Sequence, residues 1–194
     1  MTTFLRRRIW PAFALLLVMT LITGVAYPAL VTGIAQLVFP SQANGSMIVA
    51  NGQTVGSSLI GQTFSEPEYF WGRPSAAGAD GYDASGSAGS QLGPTDQRLI
   101  DRITAEVDRL REANGDGPVP VDLVTTSASG LDPDISPAAA EYQVARVAAA
   151  RGLSEADVRA VVARHTEQPL LGFLGRPRVN VLLTNLDLDG LLSS

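Results

Sequence analysis

The chain has 194 residues with 14 basic and 19 acidic side chains, one histidine and no cysteine. The missing cysteine excludes disulfides, thiol catalysis and thiolate metal sites. Every cation is arginine, and Arg6, Arg7 and Arg8 precede the first acid, so the rest of the chain holds 11 Arg against 19 acids, a net −8 and a poor surface for nucleic acid.

No charged residue occurs between Arg8 and Glu66. Within that gap residues 9–30 read IWPAFALLLVMTLITGVAYPAL, which meets the requirement of roughly 20 mostly apolar residues for a membrane span. Trp10 and Tyr27 fall near its ends, where amphipathic rings favour the interface. The stretch exceeds the usual h-region of a cleaved signal peptide, and Tyr27-Pro28 breaks the small-residue pattern of a cleavage site, so the segment reads as a retained anchor. Three arginines before the span and none after it until Arg73 predict a cytoplasmic N-terminus over residues 1–8. The transmembrane helix and its extension then cover 9–38, and an extracytoplasmic domain covers 39–194. Thr20, Gly24 and Pro28 recur every four residues on one helix face, either as a surface for a partner helix or as ordinary span composition.

Residues 41–46 read as a polar linker. A short apolar run over 47–50 precedes Asn51-Gly52, a type I′ hairpin signal. Residues 76–93 are rich in Gly, Ser and Ala and read as loop. A helix opens at Pro94-Thr95, repeats Leu99, Ile103, Val107 and Leu110 at helical spacing, and ends at Asn114-Gly115. Residues 119–124 read as a short strand. Ser136 with Pro137 opens a second helix that Gly152 stops, and Ser154 with Asp157 opens a third, running to about His165. Residues 179–184 read as a final strand. The fold class expected is α+β: one N-terminal transmembrane helix followed by one mixed α+β domain.

Signatures of chemistry are sparse. The sequence has no Walker A, G-x-G-x-x-G or G-x-S-x-G pattern. A Ser-His-Asp triad would need His165, which sits better as a helix C-terminal charge. Asn185, Asp187, Asp189 and Gly190 mimic half of an EF-hand loop without its bidentate acid. Asp132 and Asp134 around Pro133 suit turn chemistry before a helix better than a cation site. The pair of helices over 136–165 resembles a helix-turn-helix but lacks a basic recognition helix. No catalytic residue and no metal site are expected. Tyr69-Phe70-Trp71-Gly72-Arg73-Pro74-Ser75 is the densest signal. Three consecutive aromatics cannot all point inward on a strand. Tyr69, Phe70, Trp71 and Arg73 are therefore interface candidates, with a core-closing aromatic cluster as the alternative.

The chain resembles one family, the C subunit of the Kdp-type potassium-transporting ATPases. The resemblance lies in Gly56-Ser57-Ser58-Leu59-Ile60-Gly61-Gln62-Thr63-Phe64, Tyr69 to Ala76, Gly93-Pro94-Thr95, Asp122 to Pro133, Ile135-Ser136-Pro137, Gln143 to Ala148 and Arg178 to Leu182. It spans nearly the whole chain in order. Two positions depart: Asp134 stands where the family usually has His, and Ser90-Gln91 where it usually has Ser-Asn. The resemblance implies a non-catalytic subunit of an ATP-driven potassium uptake complex in the bacterial inner membrane. Its implied partners are a channel-like potassium-binding subunit and a P-type ATPase subunit. It also implies assembly and a catalytic-chaperone effect on ATP affinity, with Gln143 as a candidate for a nucleotide effect and ATP entering through the complex. The residues themselves favour a structural account, with an acidic domain docked over the outer mouth of the channel subunit. The alternative from another class is a free-standing anchored hydrolase or binding protein.

Overall fold

The structure is a computed structural model that describes residues 2–192. The chain divides into two compact units, with the division between Met47 and Ile48.

The first unit is helical: α1 (Thr2–Leu21), a π-helical turn (Ile22–Ala26), α2 (Tyr27–Val38) and the short α3 (Pro40–Ala43). The π turn has a local cause. Pro28 has no N–H to give Gly24 and its ring crowds that carbonyl, and the backbone widens so that the Tyr27 N–H reaches the Ile22 carbonyl. From Arg7 to Val38 the helix runs 32 residues, and its most apolar 18-residue window has a mean hydropathy of 2.2 with none of it buried. At 1.5 Å per residue that is about 48 Å, longer than a hydrocarbon core of about 30 Å, so the extension past residue 30 has room to leave it. Residues 41–46 are less open than a linker: Gln36 and Asn44 exchange amide hydrogen bonds at 3.2 Å, and Asn44 Nδ2 donates to the Pro40 carbonyl at 2.7 Å.

In the second unit β1 (Met47–Ala50) pairs with β2 (Gln53–Ser57) across Asn51 and Gly52, whose φ values of 52° and 79° are those of the expected turn. Residues 76–93 contain no helix or strand, as expected. The helix α4 (Gln97–Asn114) begins two residues later than Pro94-Thr95 would suggest, because the Asp96 carboxylate caps it by accepting the Arg98 N–H at 2.9 Å. Ser136 caps α5 (Pro137–Arg151), and Gly152 ends it in the left-handed region at φ 65°. Ser154 caps α6 (Glu155–Arg164), and its Oγ accepts the Asp157 N–H at 3.1 Å.

Three short antiparallel strands close the fold: β3 (Asp134–Ile135), β4 (Thr166–Glu167) and β5 (Arg178–Asn180), in the order β3-β5-β4, with Val179 opposite both Ile135 and Thr166. Two expected strands take other forms. Residues 119–124 hold only a 3-10 turn at Val121–Leu123, because Pro118 and Pro120 lack the N–H groups a ladder needs. The final strand stops at Asn180. Its side chain accepts the Leu183 N–H at 3.0 Å and starts α7 (Val181–Leu188). That helix also rules out an EF-hand loop from Asn185.

The core lies between α4, α5, α6 and β5. Leu110, Ala139, Ala140, Val144, Val147, Val158 and Val179 are all buried there, together with Phe70 and Trp71 from the aromatic motif.

Candidate functional site

The motif of residues 69–73 runs extended across the core, and side chains rather than a neighbouring strand satisfy its backbone. Asn185 on α7 accepts the Phe70 N–H at 2.8 Å and donates to the Phe70 carbonyl at 3.0 Å. Gln143 on α5 does the same one residue on, accepting the Trp71 N–H at 2.8 Å and donating to the Trp71 carbonyl at 3.1 Å. Both amides are buried. Such groups belong inside only when their hydrogen bonds are made.

Gln143 is saturated. Its Nε2 also donates to the Ala139 carbonyl at 3.2 Å, and its Oε1 also accepts from Arg146 Nη2 at 2.7 Å. A primary amide offers two donors and two acceptor lone pairs, so every position is occupied inside the core.

Two arginines of α5 fasten the approach to the motif. The Arg146 guanidinium stacks 3.9 Å from the Trp71 ring centre, gives hydrogen bonds to the carbonyls of Pro67 and Tyr69, and reaches Asn114 Oδ1 at 2.9 Å. Burial, with help from the nearby Arg109 charge, lowers its pKa to about 10. Arg151 donates to the Glu68 carbonyl at 2.7 Å and to the Leu188 carbonyl at 3.0 Å, and pairs with Asp189 at 2.7 Å. Arg109 from α4 also lies over Trp71, at 4.2 Å. Stacking and forked donation together suit arginine and not lysine.

At the far end Arg73 pairs with Asp132 at 2.8 Å and donates to the carbonyls of Thr125 and Thr126. It ties the motif to the loop before β3. Tyr82 donates its hydroxyl proton to the Arg73 carbonyl at 2.7 Å, and burial pushes its own pKa up to about 12. Ser75 accepts the N–H groups of Ala77 and Tyr82 and donates to the Gly130 carbonyl at 2.6 Å, so the Gly-rich loop hangs from fixed points. An open cavity of about 350 Å³ lies beside Trp71, Arg73, Tyr82 and Arg109.

The sequence-derived candidates thus fall into three places. Phe70 and Trp71 are core residues, while Tyr69 and Arg73 are partly exposed and remain open to contact. Gln143 joins the motif from 72 residues away. Thr20, Gly24 and Pro28 lie in the first unit, all exposed, and a Cβ at Gly24 would meet Thr20 Cγ2 at 3.9 Å, on one face. Sequence reasoning missed Asn185, Arg146 and Arg151. The clamp leaves no local pattern, and Asn185 stands out in the sequence only as part of a calcium-like spacing.

The remaining polar groups form structural pairs. His165 Nε2 lies 2.8 Å from Asp187 Oδ2, which also accepts from Arg164 at 2.9 Å. No serine or threonine hydroxyl bonds to His165 among the described residues. Asp132 Oδ1 accepts the Asp134 N–H at 3.1 Å, the turn chemistry expected of Asp-Pro-Asp. Asp122 accepts both the Ser136 N–H at 2.6 Å and its hydroxyl at 3.1 Å, bracing the start of α5.

Compared with known proteins, residues 9–190 match the family model described as KdpC, K+-transporting ATPase, c chain. The chain is similar to the potassium-transporting ATPase KdpC subunit of Sorangium cellulosum, 62% identical over 182 residues covering 93% of this chain and 96% of that protein. It is 60% identical to the protein of that name from Koribacter versatilis over 174 residues, 89% of each. It is 56% identical to that of Herpetosiphon aurantiacus over 195 residues, covering 100% of this chain and 99% of the relative.

Proposed function

This chain belongs to the KdpC family, the c chain of the K+-transporting ATPases, and from that premise we propose how it works as an accessory subunit of a potassium-transporting ATPase complex. The match over residues 9–190 carries the reading. In it, residues 1–8 lie in the cytoplasm, 9–38 cross the bacterial inner membrane and continue past it, and 39–194 form a domain outside the cell. The partners are a channel-like potassium-binding subunit and a P-type ATPase subunit, met through the face of Thr20, Gly24 and Pro28 and through the domain, with Tyr69 and Arg73 as its contact candidates.

The chemistry belongs to the partners. The saturated, buried amide of Gln143 supports a positioning role in place of contact with nucleotide. Any chaperone effect on ATP affinity in the ATPase subunit therefore runs through the span and the conformations of partner helices, as a coupling between distant sites. The net acidic domain adds a second contribution at the outer mouth, raising local cation concentration within about 8–10 Å at physiological salt.

Purification in mild detergent through a tag on this chain tests the reading. A large multi-span subunit and a P-type ATPase are expected to come with it, and recovery of the chain alone from native membranes would overturn the assignment. Protease added to intact spheroplasts is expected to remove the domain; full protection would reverse the topology.

A further inference from the structure

Residues 168–177 join β4 to β5 and carry an apolar tip. Leu170, Leu171, Phe173 and Leu174 are 69, 75, 73 and 51% exposed. Residues 169–175 contain no side-chain hydrogen-bond donor or acceptor. Clustered apolar side chains in water mark a surface that something covers.

Part of the tip's backbone is paired within the turn. Leu170 and Leu174 exchange backbone hydrogen bonds at 3.0 and 2.9 Å, the Gly172 N–H donates to the Pro169 carbonyl at 2.9 Å, and the Phe173 N–H donates to the Leu170 carbonyl at 3.3 Å. Leu171 and Gly172 both hold positive φ, 56° and 81°, which closes the turn and turns its side chains outward together. Backbone groups paired in this way are not stranded when water leaves.

Charge points to the occupant. Residues 168–177 carry one cation, Arg176, and no acid, on a domain that is otherwise acidic. Arg178 pairs with Asp134 and Glu167, whereas Arg176 has no ion pair among the described residues. An apolar wedge flanked by a free cation matches the boundary between acyl chains and anionic headgroups.

We propose that the Leu170–Leu174 tip is a second membrane contact, a wedge entering the interface of the bilayer that the chain's own helix crosses. It rests on that helix being in the bilayer, which flotation of the chain with vesicles checks independently.

Because the chain has no cysteine, Phe173→Cys accepts a single environment-sensitive fluorophore, with Ala84→Cys in the Gly-rich loop as the aqueous control. The full-length chain is reconstituted in phosphatidylcholine vesicles containing a minority of phosphatidylglycerol. The label at 173 is expected to be several-fold brighter and blue-shifted against the control. It should be quenched by nitroxide carried near the lipid headgroup and protected from aqueous iodide. Replacing Leu170, Leu171 and Leu174 by Ser should return it to the control value, and Arg176→Gln should weaken its dependence on the anionic lipid. A label that stays wet in vesicles that float with the chain overturns the proposal and leaves the anchor intact. A label that becomes protected only when the other ATPase subunits are added also overturns it, in favour of a protein groove.

Discussion

Replacing Gln143 by Leu keeps most of its volume but leaves the N–H and C=O of Trp71 buried without partners. Each such group costs about 1–3 kcal/mol, so Gln143→Leu is expected to destabilise the chain by roughly 3 kcal/mol in urea unfolding followed by near-UV circular dichroism. Asn185→Leu should act alike at Phe70. Two carboxyls predict opposite pH responses. Burial raises Asp187, but hydrogen bonds from His165 and Arg164 outweigh it and hold the folded carboxyl below the usual carboxylate range. Its stabilisation is present above the unfolded pKa and is lost as pH falls through the folded one. Asp187→Asn is therefore expected to weaken the protein at neutral pH, with the gap closing on acidification. Burial raises Asp134 instead. Arg178 lies 3.0 Å away, but it is 57% exposed and shared with Glu167, so burial prevails. The favourable neutral form is complete below the unfolded pKa and is lost as pH rises through the folded value. Asp134→Asn should thus strengthen the protein at neutral pH and converge with the parent in acid, which unfolding at a series of pH values measures.

Among the elements, the connection between Ser127 and β3 is the least tolerant. Gly130 has φ 67°, and a Cβ there would sit 2.5 Å from the Ala88 carbonyl oxygen and 2.8 Å from Ala77 Cβ. Gly130→Ala is expected to cost well over about 1 kcal/mol in the same unfolding measurement, because strain and collision add. The elements that could be read from sequence were those with local punctuation. The span, the hairpin at Asn51-Gly52 and the three capped helices each carry their own start or stop residue. α7 carries Asn180 as a cap, but Val181, Leu182, Thr184, Asn185 and Leu186 are all buried. A helix covered on most sides loses the 3.6-residue pattern, and its apolar run reads as a strand. The motif at residues 69–73 stood out by composition, while its clamp did not, since amides 72 and 115 residues away leave no trace in the local sequence.

For the molecule as a whole, the proposed partner face of the span makes a testable demand. Gly24→Leu fills the space beside Thr20 and is expected to lower recovery of the ATPase subunit with a tagged chain several-fold, while Ile34→Leu should leave it unchanged. The domain's dependence on arginine has a similar reach: Arg73, Arg146 and Arg151 each bridge distant segments through several carbonyls at once, and a lysine ammonium could not hold that fork geometry. The grip on Phe70 and Trp71 has one more result. Both hydrogen-bonding sides of each residue are consumed by helix side chains, so this extended stretch offers no open rim onto which a strange chain might zip. Copies of this chain therefore cannot pair with one another along that line.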